Sequence, residues 1–237
     1  MTGTPEFEWR GRTGPFTVQL GEGVFRPSST SMAIADALAI SPGDIVVDVG
    51  CGCGVLSFVA ARLEAQHVYG CDISEAAVAV ASANAKRLGL QDVTGFRAGN
   101  LLEPVADVEA DVVIGDVSGI PDAIAKVTGW FPGGRGGGPT GAELPVAMLE
   151  GAADVLRPGG RLYLPTGTIQ AEESVLSAAR RVFGDRLEVV LERNFPLPDM
   201  VLRSKDVGRL IADGVVNLSR RGSRLLWKLR VWLCTRP

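Results

Sequence analysis

Apolar and polar positions change period along this chain in a regular way. From Asp44 onward, short runs of β-branched residues alternate with alanine-rich stretches of helical period. IVVDVG (45–50) predicts a buried strand that ends in a glycine turn, and VLSFVAARLEA (55–65) predicts a helix behind it. HVYGCD (67–72) predicts a second strand ending in an acid. The next helix has clear ends. Ser74 can cap it, Glu75 suits its positive end, and Gly89 supplies a left-handed stop with Leu90 behind it. VTGFRAG (93–99) and DVVIGD (111–116) predict the third and fourth strands. A helix around 143–156, a Pro-Gly-Gly turn at 158–160 and a fifth strand, RLYLP (161–165), follow. A helix from about Ala171 to Phe183 carries Glu172 and Glu173 in its first turn and Gly184 as its stop; LEVVLER (187–193) and RLLWKLRVWLCT (224–235) finish the sheet.

Alternation of this kind gives parallel strands, because a parallel pair needs a long right-handed crossover. The predicted fold is α/β: a seven-stranded, mostly parallel sheet with helices on both faces. No helical stretch stands out between the last two strands, so the final strand is expected to run antiparallel. Residues 1–43 lie outside the alternation, with a short strand at FTVQL and a helix at SMAIADALA, and read as an N-terminal cap or substrate segment. Residues 44–237 read as the main domain, with 194–224 inserted before the last strand. The segment 131–141, FPGGRGGGPTG, reads as a glycine-rich lid or as a plain surface loop.

Composition narrows the classes. A chain of 237 residues with 46% hydrophobic and 22% charged residues suits one globular domain. Its longest uncharged run, Val49–Ala61, has 13 residues, whereas a bilayer helix needs about 20, so no membrane span is expected. The opening MTGTPEFEWRGR has no apolar stretch and does not read as a signal peptide. Four cysteines, two of them inside a glycine run, fit a reducing cytoplasm. The single histidine, His67, and a Cys51-x-Cys53 pair without partners give no expectation of a metal. Net charge is −3 but unevenly placed: from Val201 on there are nine Lys/Arg and two Asp. That basic tail reads either as a nucleic-acid or ribosome contact or as a solvated edge.

The chemistry concentrates in Asp48-Val49-Gly50-Cys51-Gly52-Cys53-Gly54, at the end of the first strand. Glycines there allow a sharp bend and let a ligand approach bare backbone at a helix N-terminus. A dinucleotide fingerprint needs G-x-G-x-x-G, and Val55 occupies the last position, so that reading fails. Asp72, ending the next strand, is placed to accept both hydroxyls of a ribose.

At these residues the chain resembles the class I S-adenosylmethionine-dependent methyltransferases, a Rossmann-like fold, over roughly 26–193. DVGCGCG is similar to their first motif, CDIS to their ribose-binding strand end, AGNLLE (98–103) to the segment that meets adenine, and VLRPGGRLYL to their fifth-strand motif. The resemblance implies S-adenosylmethionine as cofactor, with Gly50 and Gly52 facing its methionine part and Asp48 near its amino group. It implies Asp72 on the ribose, Ile73 packed on adenine, and Asn100, with Leu101 beside it, at the adenine edge. GVFRPSST (23–30) resembles the segment before the core in methyltransferases of release-factor glutamine or ribosomal RNA. It implies Phe25, Pro27 and Thr30 as a partial lid; as a bare sequence, Pro27-Ser28 is equally a turn and helix cap.

The chain departs from that group at the end of the fourth strand. Enzymes that methylate planar amide or base nitrogens carry Asn-Pro-Pro-Tyr or a close variant there, and this chain has Asp116-Val117-Ser118-Gly119. The departure argues against glutamine or exocyclic base nitrogens as acceptor. Asp116 would orient the cofactor's amino group or act as general base, with Ser118, Glu143 and Asp122 as further acceptor-side candidates. The leading expectation is therefore a cytoplasmic methyltransferase acting on a small molecule, in the sense of secondary metabolism, with residues 1–43, 131–141 and 194–224 walling the acceptor pocket. The alternatives are a protein or ribosomal RNA methyltransferase, with ribosome or nucleic acid as partner, and a cofactor-binding homologue that catalyses a non-methylating displacement.

Overall fold

The structure is a computed structural model and describes residues 4–131 and 136–237. Two short strands, β1 (Glu6–Trp9) and β2 (Phe16–Gln19), form an antiparallel hairpin ahead of helix α1 (Ser29–Ala37). The alternating core follows with β3 (Ile45–Val49), α2 (Val55–Arg62), β4 (His67–Asp72), α3 (Glu75–Leu88), β5 (Thr94–Ala98) and β6 (Ala110–Ile114). It continues through α4 (Asp122–Thr128), α5 (Glu143–Val155), β7 (Leu156–Gly167), α6 (Glu172–Phe183) and β8 (Leu187–Pro196). Helices α7 (Asp199–Leu202) and α8 (Lys205–Ala212) precede β9 (Ser219–Arg221) and β10 (Arg224–Thr235).

The main sheet has the order β5-β4-β3-β6-β7-β10-β8, with β9 paired to β10. Strands β3 to β7 are mutually parallel, and β10 runs antiparallel between β7 and β8. This is the expected mostly parallel α/β sheet with an antiparallel last strand, extended by the short β9. One expectation fails: the connection between β8 and β10 holds α7 and α8. Both are short, four and eight residues, below the window in which a helical period can be read from sequence. The hairpin strand β1 and helix α4 are likewise additions to the predicted elements.

Helices cover both faces of the sheet, and each strand divides its side chains between two apolar clusters. Val46, Val112, Ile114 and Tyr163 pack with Ile34, Phe58 and Ile124 on one face. Val47, Val113, Leu162 and Leu164 pack with Met148, Leu149, Val175 and Phe183 on the other. Burial on both faces explains why β3 and β6 read as nearly continuous apolar runs. The helix expected at 74–89 has the predicted ends: the Ser74 hydroxyl accepts the Ala77 N–H at 3.2 Å, and Gly89 is left-handed at φ 68.

The N-terminal hairpin is tied to this core by one buried amide. Asn84, on α3 and fully buried, accepts the Gln19 N–H at 2.8 Å and donates to the carbonyls of Gln19 and Cys53, both at 3.0 Å. A single side chain thus joins β2, α3 and the glycine segment before α2. Replacing Asn84 with alanine leaves three backbone groups without this partner. We expect Asn84→Ala to lower unfolding stability by about 2–4 kcal/mol in urea titration; an unchanged midpoint would contradict the clamp.

Candidate active site

Strand order reverses between β3 and β6, since β3 leads outward to β4 while β6 lies on its other side. In doubly wound sheets, ligands bind at such a switch point, outside the carboxyl ends of the strands. A small, solvent-open cleft lies at this edge. Its wall comprises Asp48, Gly50, Cys51, Gly52 and Cys53 from the end of β3, Val55 and Leu56 from α2, and Asp116 beyond β6. Phe25, Pro27 and Ser31 close it from the N-terminal segment.

The glycines here have specific tasks. Gly50 (φ 76) lies against the Asp116 backbone carbonyl, which a Cβ would meet at 3.1 Å. Gly54 (φ 92) begins α2, and a Cβ there would strike the Phe58 ring at 2.6 Å. Gly52 (φ 54) is different: its nearest neighbour would be the Phe25 carbonyl at 3.8 Å, so its bare backbone faces open space. The bend is held from the next strand. Asp72 accepts the Gly52 N–H at 3.0 Å on one carboxylate oxygen and the Ser74 N–H at 2.9 Å on the other. Each oxygen keeps a further lone pair for another donor.

Two carboxylates meet at the strand tips. Asp48 is 1% exposed and takes a 2.6 Å hydrogen bond from Ser57 on one oxygen, while its other oxygen has no partner among the described residues. Burial, reinforced by the nearby negative charge of Asp116, pushes its pKa up to about 7 against the pull of the Ser57 bond. Asp116 lines the cleft and accepts a 3.0 Å hydrogen bond from Ser31. Burial raises its pKa to about 6, opposed by the Ser31 bond. Neither carboxylate pairs with Lys or Arg among the described residues.

The remaining candidates are spread along the same edge. Ile73 follows Asp72 and is 76% exposed, the most exposed of the large apolar residues described. Leu101 holds a left-handed backbone at φ 46, and its carbonyl accepts from the Cys71 thiol at 3.1 Å. Asn100 is exposed, and its amide donates to Glu103 at 3.1 Å. Thr30 caps nothing and does not line the cleft; its backbone N–H goes to the Ser28 hydroxyl, and the neighbouring Ser31 reaches Asp116 instead. Sequence reasoning misses Ser31, although position N3 after the Ser28 cap is a place where its hydroxyl is fixed.

On the acceptor side, Ser118 has a buried hydroxyl with no partner among the described residues. Glu143 stands apart from the cleft: it is exposed and takes the Thr140 N–H at 3.1 Å and the Thr140 hydroxyl at 2.9 Å. Asp122 accepts the Gly136 N–H at 2.7 Å. Of the glycine segment 131–141, residues 132–135 lie outside the described residues. Its described part is docked: Gly137 donates to the Ile120 carbonyl at 2.7 Å, and Phe131 stacks on Phe25 at 4.9 Å. His67, at the start of β4, packs on Tyr69 at 4.5 Å, away from this edge.

Comparison with known proteins agrees with this geometry. Residues 40–190 match the model of a methyltransferase domain family, and the chain belongs to that family, the class I S-adenosylmethionine-dependent methyltransferases. Among its relatives, a ribosomal protein L11 methyltransferase of Caldanaerobacter subterraneus subsp. tengcongensis is 43% identical over 88 residues, 37% of this chain and 27% of that protein. A release factor glutamine methyltransferase of Moorella thermoacetica is 36% identical over 152 residues, 62% of this chain and 53% of that protein. The chain thus spans only a quarter to about half the length of these relatives. In fold, it is similar to a 16S rRNA methyltransferase of T. Thermophilus in complex with AdoMet and guanosine, with a TM-score of 0.64, 17% identity, and coverage of 98% of this chain and 50% of that one.

These findings overturn the expectation of a small-molecule acceptor and partner. The relatives are named as methyltransferases of ribosomal protein L11 and of release factor glutamine. The physical reason lies in the walls. Of the segments expected to enclose a small acceptor, 1–43 supplies Phe25, Pro27 and Ser31, whereas none of the described lining residues comes from 131–141 or 194–224. No helix described is long and apolar enough to cross a membrane.

The buried carboxyl of Asp48 makes a pH prediction. Folding raises its pKa from 3.8 to about 7, so the folded protein holds the proton more tightly than the unfolded chain. Its contribution to stability is full below about pH 4 and is lost as pH rises through 7. Asp48→Asn removes this loss. Its stability relative to the parent should grow by about 1–4 kcal/mol between pH 4 and pH 7 and level off above pH 8. Denaturant titrations giving a pH-independent difference would contradict it.

Proposed function

We propose that the protein transfers a methyl group from S-adenosylmethionine to a protein component of the translation apparatus, at a nitrogen other than a glutamine amide. The observation that carries the cofactor assignment is the unpartnered oxygen of buried Asp48 beside Asp116 at the open face of Gly52. Two carboxyls raised toward neutrality, with no cation beside them among the described residues, suit a ligand that brings its own positive charge.

When bound, the cofactor supplies a methyl group on a sulfonium, ready for in-line displacement. The chain's residues bind and orient. Asp48 and Asp116 take the amino cation, and Ser31 and Ser57 hold those carboxylates in place. Gly50 and Gly52 allow the methionine portion to approach backbone. The free lone pairs of Asp72 receive the ribose hydroxyls while its bond to Gly52 keeps the bend in shape. Ile73 offers an apolar face to adenine, with Leu101 and Asn100 at its edge. Phe25, Pro27 and Leu56 exclude water, which methyl transfer from a cation needs more than it needs an acid or base. Ser118, two residues beyond Asp116, is assigned to the acceptor nitrogen.

The macromolecular acceptor rests on the relatives' names. Exclusion of a glutamine amide rests on Asp116-Val117-Ser118-Gly119 in place of Asn-Pro-Pro-Tyr. Two measurements test the reading. Calorimetry should find S-adenosylmethionine bound roughly 10- to 150-fold more weakly by Asp72→Ala, the loss of about 1.5–3 kcal/mol for a charged hydrogen-bonding group; equal affinity would refute the ribose assignment. With methyl-labelled cofactor and undermethylated ribosomes plus release factors, label should enter protease-sensitive, nuclease-resistant material. Label confined to RNA, or cofactor turnover without any labelled product, would overturn the acceptor class.

A further inference from the structure

The positive charge of the C-terminal region divides sharply once the strands are in place. Along β10, Lys228 pairs with Glu192 at 2.8 Å, and Arg230 pairs with Glu172 at 2.7 Å and Glu192 at 3.1 Å. At the start of the same strand, Arg224 has no acidic partner among the described residues, and neither do Arg220 and Arg221 on β9. Residues 219–224 are all exposed. Register sets Arg224 directly opposite Arg221 across the turn opened by Gly222 (φ 62). Like charges directly opposite on an antiparallel pair destabilise it. The hairpin therefore keeps a locally unfavourable arrangement that an anionic ligand would relieve.

Topology places this hairpin at the edge that bears the cleft. Because β10 is antiparallel to β7, its pairing with Gly167 at the carboxyl end of β7 begins at Leu229. Residues before Leu229 project beyond that end, on the side where Asp48 and Asp116 stand. β10 is two strands from β6, about 10 Å across the sheet at the usual strand spacing, and the five residues back to Arg224 extend about 17 Å farther. Arg203 and Lys205, also exposed and without acidic partners among the described residues, sit in the same connection.

We infer that the β9–β10 hairpin, with Arg220, Arg221 and Arg224, is a docking site for RNA backbone phosphate. The exposed run Ser219–Arg224 contains arginine, serine and glycine and no apolar residue. Protein interfaces are anchored by apolar or aromatic cores, whereas phosphate recognition needs charge and donors alone. The guanidinium fork matches phosphate oxygens bidentately, and a polyphosphate chain offers successive anions to opposed arginines that one carboxylate cannot. This role goes beyond the proposed methyl transfer: the acceptor atom is presented at the cleft while the hairpin grips nucleic acid beside it.

The test uses the full chain and a fluorescein-labelled, structured RNA of about 40 nucleotides, read by anisotropy across a salt series. The parent should bind with a steep salt dependence. Combined Arg220→Gln, Arg221→Gln and Arg224→Gln should weaken binding at least tenfold at 0.1 M salt. The log–log salt slope should flatten by about 2, since each phosphate no longer neutralised removes about 0.7–0.9 from it. The variant's melting temperature and S-adenosylhomocysteine affinity should not fall, which separates this inference from the cofactor reading. Arg181→Gln with Arg186→Gln and Lys126→Gln, a charge-matched set elsewhere, should leave RNA binding near the parent value. Equal RNA affinity of parent and hairpin variant, equal weakening in the control set, or tighter binding of polyglutamate than of RNA at matched charge would overturn the proposal.

Discussion

Asp48 and Asp116 stand at the tips of neighbouring parallel strands, close enough that the charge of Asp116 raises Asp48, with no cation among the described residues to offset either. Folding alone gives no return on that arrangement. A buried carboxyl prefers to be neutral, and two of them side by side prefer it more. Much of the surrounding structure is what it takes to hold them there. The β3/β6 reversal brings the two tips together, Ser57 and Ser31 fix one oxygen of each, and the glycine bend leaves the space beside them clear. The N-terminal segment supplies Ser31, and Asn84 ties that segment's hairpin to the bend. The site and the fold thus share the same few bonds.

Much of this is legible in the sequence, for physical reasons that can be named. The strands β3 and β6 lie between two layers of helix, so their apolar runs have little polar interruption. The ends of α3 are carried by Ser74 and Gly89, whose backbone tasks leave a local signature. Asp48, Gly50, Gly52, Asp72 and Asp116 all sit at strand ends, where position in an alternating fold already says which edge a side chain occupies.

What sequence does not yield depends on contacts at long range or on weak patterns. Thr30 and Ser31 are adjacent, and only the tertiary placement of α1 over the sheet decides which hydroxyl reaches Asp116. Glu143 looks in sequence like an acceptor-side acid, yet its carboxylate accepts from the backbone N–H and the hydroxyl of Thr140 and is engaged there. The glycines at 136 and 137 look like freedom. They serve close approach instead: a Cβ at either would come within 2.1 Å of a carbonyl of the segment after β6. The acceptor class is hidden because no local pattern distinguishes a pocket wall from a docking arm. Residues 194–224 form helices and a basic hairpin standing off the cleft, and only the strand register reveals that.

If the raised carboxyls are the receptor for a cationic ligand, binding must draw protons off them. Calorimetry of S-adenosylmethionine binding at pH 6.5, run in two buffers of different ionisation enthalpy, measures this directly. A net release of protons on binding is expected, disappearing above pH 8 and shrinking in Asp48→Asn. Binding without proton release at pH 6.5, or no binding at all, would contradict it.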